Sequence, residues 1–467
     1  MKFLYGIAVA ATVTVRVVSA QQKVPIIFDT DGNYDDTLAL LYLASNPLFD
    51  LRAVTVAGAG FATRHGGPIN MQRVLQLFDD KTIKQTPVSF GKPTSLSHIS
   101  AFPLEWRIGI DEFFQECIDN GTLSEANALL SHHESSDLMA KVLRESDTAV
   151  AIAVTAPATN LALALQKEPD LIDRISALFL MGSNYGGGPN NVYSWQMTYG
   201  GVTSSCAEDA TGHYFIPEDL RRDGCRGNSM SDSGDTEWNV FLDVVAWHYV
   251  TRYVAESVTK PPIYAITSGA TEAMNVTLAD FDVGSKYLSS QGMEAMSAFT
   301  KSLGPAFVGA GEAKWWDAQL AVAMANIING HTGNNKTDSV CAEWKETDGF
   351  KVNMIWKNIP GGSVGGTSGD KNPYGSIADS PGIGPNASFC LHGNVEAMQR
   401  QFWWTLAGKN DGGDIADPTL YLRSNSNSLE EDVKKATTSM AEKVPLPQLL
   451  MAGTMLLMSL IDFHIIA

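Results

Sequence analysis

Four aspartates, Asp29, Asp31, Asp35 and Asp36, lie within eight residues directly after the apolar run Val24–Phe28. Carboxylates this close raise one another's pKa values and destabilise a fold unless a cation joins them. A hard divalent ion with oxygen ligands removes that repulsion and orders the loop, and calcium suits such a site best. The alternative is a solvated acidic turn in which Asp35 and Asp36 favour a helix N-terminus.

A second type of site has to be separated from the first. The segment Phe28–Gly32 resembles the start of haloacid dehalogenase-type phosphatases, in which the first aspartate is the nucleophile and the second a general acid. That motif calls for threonine or valine after the glycine and for no adjacent acidic pair. Here Asn33 follows, and then Asp35 and Asp36, so the cation site is favoured.

Four later segments accompany the acidic one, namely Thr155–Ala162, Leu180–Gly182, Glu237–Asn239 and Trp316–Ala318. In type and order, these and Asp29–Asp36 resemble the motifs of the inosine–uridine preferring nucleoside hydrolase family. Five matches in order are far more specific than any one of them.

The resemblance implies a calcium ion and its ligands. The ligands would be the side chains of Asp31, Asp36 and Asp317 and the backbone carbonyl of Thr155, all of them oxygen donors. Asp31 would also be the catalytic base that deprotonates the attacking water. The structural alternatives are a helix N-terminal carboxylate for Asp317 and a simple strand end for Thr155.

The resemblance also implies a ribonucleoside as the small-molecule substrate. Asp35 would contact the 2′-hydroxyl, Glu237 and Asn239 would hold the remaining ribose hydroxyls, and Met181 would lie near the 5′ end. Such contacts would orient the sugar and meet its positively charged transition state with carboxylate charge. The alternatives are an ordinary core position for Met181 and a surface turn for Glu237 and Asn239.

Trp316 bears on the leaving base. In the broadly specific branch of the family a histidine precedes the last aspartate and is associated with protonating the base. Tryptophan cannot donate that proton but can stack on a purine, and in this respect the chain resembles the purine-specific branch. Phe102 and Trp106 are both candidates for the opposite wall of the base site, with two core aromatics as the alternative.

Two departures from the family pattern concern the substrate. Ala59 and Gly60 stand where the family usually has asparagine or aspartate. A long segment, 186–235, falls where the family places a ribose-contacting asparagine, and Asn191 is our candidate among the asparagines there. Because of these departures, a second interpretation stays open, in which the chain is a surface protein that binds nucleosides without turnover.

Apolar runs typical of strands alternate with helical patterns: Val24–Phe28, Asp35–Asn46, Leu51–Ala57, 68–78, Ala149–Thr155, Asn160–Gln166 and Ala177–Met181. This alternation predicts an α/β fold, an open, mostly parallel Rossmann-like sheet with helices on both faces. Ligands of such sheets bind beyond the carboxyl ends of the strands. We predict a single domain over residues 21–440, with two long loop insertions at about 186–235 and 331–392.

Composition limits the partners. With 44% hydrophobic residues in 467, the chain can bury a large core. The formal net charge of -18 disfavours nucleic acid, whereas an uncharged nucleoside remains a suitable ligand. The composition is also compatible with a homo-oligomer.

Both ends of the chain resemble targeting segments. Residues 1–20 combine Lys2, an apolar run and small residues before Gln21, which predicts a signal peptide. The hydrophobic C-terminal tail, 441–467, follows a polar stretch and contains Asp462 and His464, which favours a glycosylphosphatidylinositol signal over an anchor helix or a buried helix. We therefore expect a secreted or surface-anchored protein whose contact with a membrane is confined to this tail.

Sequons and cysteines support an oxidising compartment. Asn-X-Ser/Thr triplets begin at Asn120, Asn275, Asn335 and Asn386. The cysteine count of five allows two disulfides and one free thiol, and a Cys206–Cys225 bond could close a loop. The cysteine spacing does not match a zinc site.

Overall fold

The computed structural model describes residues 23–96, 102, 104–124, 130–183, 185, 207–208, 214–215, 237–311, 313–330, 339–352, 358–359, 362–363, 377–379, 382 and 384–408. The predicted signal peptide, the C-terminal tail, Asn191, Asn335 and the cysteines at 206 and 225 lie outside these residues.

The strands are β1 (Val24–Thr30), β2 (Phe49–Val56), β3 (Val88–Phe90), β4 (Val150–Thr155), β5 (Ile175–Met181), β6 (Ala207–Glu208), β7 (Tyr214–Phe215), β8 (Ile263–Ile266), β9 (Cys341–Thr347), β10 (Phe350–Val352), β11 (Asn358–Ile359), β12 (Gly362–Ser363), β13 (Ile377–Asp379) and β14 (Ala387–Gly393). Eight of the described strands form one sheet in the order β3-β2-β1-β4-β5-β8-β14-β9. Its pairs are parallel except β14–β9, so the predicted mostly parallel sheet is confirmed.

The helices are α1 (Tyr34–Ser45), α2 (Gly66–Leu75), α3 (Lys81–Lys84), α4 (Leu104–Asp119), α5 (Ser135–Glu145), α6 (Thr159–Lys167), α7 (Trp238–Leu242), α8 (Val244–Glu256), α9 (Ser268–Thr271), α10 (Leu278–Ser290), α11 (Glu294–Gly309), α12 (Trp316–Ile328) and α13 (Val395–Leu406), with a 3₁₀ helix at Pro169–Arg174. As far as the structure describes the chain, none of these helices has the length and apolarity that a membrane crossing requires.

Helices cover both faces of the sheet, as predicted. Ile26 and Phe28 of β1 join one buried cluster together with Leu38 of α1. The intervening residue Ile27 joins a second buried cluster together with Leu161 of α6. Because successive side chains of a strand point to opposite faces, these two clusters form the core on the two sides of one sheet.

The predicted limits of the second insertion, 331–392, are wrong at both ends. Cys341–Thr347 and Ala387–Gly393 are not loop residues but the two strands that complete one side of the main sheet. A disulfide between Cys341 and Cys390 joins this antiparallel pair, and Cys117 is a buried free thiol. The inserted part of the chain is therefore the segment between the two strands.

Candidate functional site

The turn from β1 to α1 places the acidic residues in the interior of the protein. Asn33 caps α1, and the backbone N–H of Asn33 donates to Asp36 Oδ2 at 3.0 Å, which completes a capping box. The capping role predicted as an alternative is therefore real for Asp36. The turn is not solvated, however, because Asp31, Asp35 and Asp36 are 3%, 4% and 0% exposed.

Asp36 also connects the first strand to its neighbour in the sheet. Its Oδ1 accepts hydrogen bonds from the hydroxyls of Thr30 and Thr155, the latter at 2.5 Å. Thr30 and Thr155 end the paired strands β1 and β4. The site thus lies at the carboxyl edge of the parallel strands, where the sequence predicts it.

Carboxylates that are far apart in the chain converge at this edge. Oxygens of Asp35, Asp36 and Asp317 lie within 4.8 Å of one another, and Asp317 comes from the first turn of α12. Asp31 completes the group through its contact with Asp36. The three carboxylates whose oxygens lie within 4.8 Å of one another therefore include Asp35 and not Asp31. The three predicted carboxylate ligands, Asp31, Asp36 and Asp317, nevertheless all belong to this group.

The electrostatics of this group disfavour four negative charges. Burial, reinforced by the neighbouring carboxylates, raises the pKa values of Asp31 and Asp317 well above their usual range. Burial also raises the pKa of Asp35 to about 7, with Asp36 as the next largest cause. Each shift shows that the charged form lacks the stabilisation that water would give it.

These residues fit a calcium ion. Among the described residues, none of the lysine and arginine ion pairs involves Asp31, Asp35, Asp36 or Asp317. Asp35 Oδ1 is buried and accepts no hydrogen bond within the described part of the chain. Clustered carboxylates with a free oxygen and no counter-charge form a donor set that suits a hard cation.

Asp29 has a different role from its neighbours. Its Oδ1 accepts hydrogen bonds from Thr55 at 2.7 Å and Asn160 at 2.8 Å, and the residue is 0% exposed. Burial raises the pKa of Asp29 to about 7. A nucleophile must reach its substrate, so this enclosed carboxyl does not support the phosphatase interpretation. Neither Thr55 nor Asn160 is predicted from the sequence as a site residue, although Asn160 lies within the motif Thr155–Ala162.

Three of the residues predicted to contact the ribose, Met181, Glu237 and Asn239, lie together. Glu237 is 0% exposed and caps α7, accepting from the backbone N–H groups of Asn239 at 2.9 Å and Val240 at 3.1 Å. The amide of Asn239 donates to the carbonyl of Met181 at 3.0 Å, at the end of β5. The surface turn considered for Glu237 and Asn239 is therefore excluded, whereas Met181 is a core residue as the alternative stated.

Glu237→Gln is expected to gain stability relative to the wild type as the pH rises. Burial raises the pKa of Glu237 from 4.5 to about 8, so the folded protein retains a proton that the unfolded chain has released. The contribution of Glu237 is full below pH 4.5 and is lost as the pH rises to about 8, whereas glutamine has no proton to lose. In chelator, the Tm difference should grow by at least about 3 °C between pH 5 and 8.

The exposed Glu145 provides the control for this titration, since Glu145→Gln removes a carboxylate from the surface of α5. Its Tm difference from the wild type should stay level over the same range. A level difference for Glu237→Gln as well would show that the buried carboxyl is ionised throughout.

Aromatic rings form two groups beside the site. Phe102 stacks on Trp238 at 4.7 Å, Trp106 lies 5.8 Å from Trp238, and Phe61 contacts both Phe102 and Trp106. Phe102 and Trp106 thus share one cluster with Trp238, which follows Glu237 directly in the sequence. Trp316 is half-buried and belongs to the other hydrophobic cluster.

The loop after β2 explains one departure from the family pattern. A Cβ on Gly60 would lie 2.2 Å from Cβ of Asp31, so a side chain at this position would displace the aspartate. Asp31 and Gly60 are in such close contact that only glycine fits. Since Ala59 is apolar, the loop offers the substrate no polar side chain at these two positions.

Buried carboxylates at the carboxyl edge of a covered parallel sheet are an arrangement in an α/β protein that suits a cation and a small ligand. The chain belongs to the inosine-uridine preferring nucleoside hydrolase family, whose model matches residues 26–349.

Individual relatives are more distant. A pyrimidine-specific ribonucleoside hydrolase of Escherichia coli O1:K1 is 32% identical over 164 residues, which are 35% of this chain and 49% of that protein. The chain spans about half the length of the curated relatives it matches. Among solved structures, an inosine-uridine preferring nucleoside hydrolase from Bacillus anthracis is 16% identical, with a TM-score of 0.53 over 82% of this chain and 99% of that one. A purine-preferring ribonucleoside hydrolase from Gardnerella vaginalis, also 16% identical, gives 0.52 over 82% and 98%. At this identity the two structures establish the fold.

Proposed function

We propose that this protein is a calcium-dependent ribonucleoside hydrolase that cleaves the N-glycosidic bond and releases free base and ribose. The observation that carries the proposal is the convergence of Asp35, Asp36 and Asp317, with Asp31 beside them, in a buried site. Among the described residues, no lysine or arginine forms an ion pair with these aspartates. Family membership supports the reaction, and the donor set supports the ion.

The residues that would hold calcium are Asp31, Asp36, Asp317 and Thr155. When bound, the ion supplies positive charge that lowers the pKa of water and favours the sugar hydroxyls as ligands. The carboxylate of Asp31 accepts a proton from the attacking water, whose oxygen bonds to C1′ of the ribose. The bond from C1′ to the base nitrogen breaks, its electron pair leaves with the base, and the base takes a proton from solvent.

Other side chains orient the sugar. Asp35 accepts a hydrogen bond from the 2′-hydroxyl, and Glu237 and Asn239 bind the remaining hydroxyls. Asn239 is held by its bond to Met181, so its amide is fixed before a substrate arrives. A group held in place by the fold loses little entropy on binding, and this lowers the barrier to reaction.

We further propose a preference for purines. Trp316 directly precedes the metal-site residue Asp317 and carries a large π surface for a base, and the cluster of Phe61, Phe102, Trp106 and Trp238 supplies an aromatic wall. The names of the relatives include both pyrimidine-specific and purine-preferring enzymes, so they do not decide the base preference. The proposal of a purine preference therefore rests on these aromatic side chains.

A nucleoside panel tests both proposals. The purified full chain is incubated with inosine, guanosine, adenosine, uridine and cytidine, with chelator and after calcium is restored, and released base is measured by chromatography. We expect release that chelator abolishes and calcium restores, with higher kcat/KM for the purines. Calorimetric binding of inosine without release of hypoxanthine would instead identify a non-catalytic binding protein.

Trp316→Ala is expected to raise KM for inosine about tenfold, because stacking on one aromatic ring contributes about 1–3 kcal/mol per base. The half-buried Trp404 of α13 offers a matched control, since Trp404→Ala removes a similar indole outside the site. Steady-state kinetics with inosine and uridine provide the measurement. Equal effects of the two substitutions on KM would refute stacking by Trp316.

We also propose that the protein is secreted or held at the cell surface. The disulfide between Cys341 and Cys390 is typical of an oxidising compartment. The sequon residues Asn120, Asn275 and Asn386 are exposed, as N-glycosylation requires. Enzymatic removal of N-glycans should increase gel mobility, and a phosphatidylinositol-specific phospholipase should release the protein from cells if the tail signals a lipid anchor.

A further inference from the structure

The loop Gly58–Ala62 encloses Asp31 from outside the acidic turn. The backbone N–H of Ala62 donates to the carbonyl of Asp31 at 2.8 Å. The backbone N–H of Phe61 donates a hydrogen bond to the Asp31 carboxylate. Gly60 lies so close to Asp31 that a Cβ on Gly60 would be 2.2 Å from Cβ of Asp31. Three consecutive residues of one loop therefore set the position of this aspartate.

The loop lies between β2 and α2 and has no strand partner to fix it, so other groups must hold it. Arg107 of α4 takes this role, although it is 0% exposed. Its Nη2 donates to the carbonyls of Gly58 at 2.9 Å and Ala62 at 2.8 Å, and its Nε donates to Ala62 at 3.2 Å. One planar guanidinium thus links both ends of the loop.

The adjacent residue of α4 contacts the middle of the loop. The ring of Trp106 stacks on that of Phe61, with centroids 6.0 Å apart and planes at 24°. The first turns of α4 therefore hold the loop by a fork of hydrogen bonds and by an aromatic contact. Burial of a guanidinium is costly unless its N–H groups are hydrogen-bonded. The hydrogen bonds of Arg107 offset part of this cost and fix the loop backbone next to Asp31.

We propose that Arg107 is a positioning residue for Asp31, acting through the carbonyls of Gly58 and Ala62. This inference rests on the proposed function, in which Asp31 binds the ion and accepts a proton. Without the fork, the loop carbonyls separate and the Phe61 N–H no longer aims at the carboxylate. Lysine keeps the charge but cannot span both carbonyls with a rigid fork, so it should not restore the wild-type geometry.

The test compares Arg107→Met and Arg107→Lys with the wild type. Arg174→Met is the matched control, because Arg174 also donates to two backbone carbonyls, those of Leu143 and Ser146, but at the C-terminal end of α5 and not at the loop Gly58–Ala62. Two readouts are needed, calcium affinity of the chelator-stripped protein by titration calorimetry, and kcat and KM for inosine. Tm and circular dichroism establish that each variant is folded.

For Arg107→Met we expect a 10- to 100-fold loss in calcium affinity or kcat, the range seen when groups that orient metal ligands are removed. KM should change less than about threefold once calcium is saturating, because the ribose contacts of Glu237 and Asn239 remain. Arg107→Lys should lose at least about fivefold, and this variant decides the matter if the methionine variant does not fold. Arg174→Met should lower Tm alone.

Calcium affinity and kcat within twofold of the wild type in a folded Arg107→Met or Arg107→Lys protein would overturn the proposal. Equal losses in Arg174→Met would do the same, since they would show a general effect of stability. The proposed function fails separately, when the wild type itself releases no base from any nucleoside. Calcium titration would then still test whether Arg107 positions Asp31.

Discussion

Asp31→Asn is expected to lower kcat for base release by about 10³-fold or more while leaving the chain folded. A carboxamide has nearly the shape of the carboxylate, but it cannot accept the proton of the attacking water, a role that accelerates reactions about 10²–10⁴-fold. The substitution also removes a charged calcium ligand. Because the pKa of Asp31 is raised by burial, the neutral side chain should not destabilise the protein without calcium.

A matched variant separates this effect from the loss of any buried carboxylate. Asp280 is 1% exposed and its pKa is also raised by burial, but it lies on α10 and bonds to Thr277 and Gln399. Asp280→Asn should alter Tm and keep kcat within about twofold. Steady-state kinetics with saturating calcium provide the measurement. If Asp31→Asn retains a tenth of the wild-type kcat, Asp31 is not the base.

Asp317→Asn is expected to change stability in opposite directions with and without calcium. In chelator, burial raises the pKa of Asp317, so at neutral pH the folded protein must retain a proton that the unfolded chain has released. Asparagine avoids this cost, so Tm should rise by about 3 °C or more. With calcium, the wild type should gain about 2.7 kcal/mol of stability at a concentration of 100 Kd, which is roughly 3 °C in Tm for a domain of this length. The variant should lose most of that gain because it lacks a charged ligand.

Thermal unfolding in chelator and in a calcium series measures both effects in one experiment. Magnesium should stabilise the wild type less, since it requires a smaller and more regular site. A variant that is less stable than the wild type in chelator would mean that the carboxylates are not in conflict. A wild-type Tm that does not respond to calcium would contradict the cation account directly.

Much of this site could be predicted because most of its residues lie within short sequence motifs. The crowded Asp29–Asp36 segment predicts a cation, and the carboxyl-edge rule for parallel sheets predicts where it binds. The strand and helix patterns around it also hold, as the predicted helix Asp35–Asn46 is observed at Tyr34–Ser45. The convergence of Asp317 followed from the order of the motifs and not from spacing.

What the sequence could not give depends on contacts between distant segments. Arg107 looks like one more charged residue of an amphipathic helix, and its bonds to Gly58 and Ala62 exist only because α4 packs on that loop. Asn160 reaches Asp29 across 131 positions.

The ends of the second insertion were missed for another reason. Cys341–Thr347 is an edge strand with mixed burial, and a Gly- and Ser-rich stretch separates it from its partner Ala387–Gly393. The composition of the stretch concealed the two seven-residue strands that flank it. Cys341 and Cys390 lie on paired strands but are not register partners, since Cys390 pairs with Trp344 and Cys341 with Gly393. The disulfide between them is therefore not encoded in the spacing of the cysteines.

A crystal structure of the protein grown with calcium tests the central claim most directly. We predict one strong peak of density bound by oxygens of Asp31, Asp36, Asp317 and Thr155, at the roughly 2.3–2.6 Å typical of calcium. Density for a single ion elsewhere on the chain, with these carboxylates bonded only to protons and water, would contradict the account.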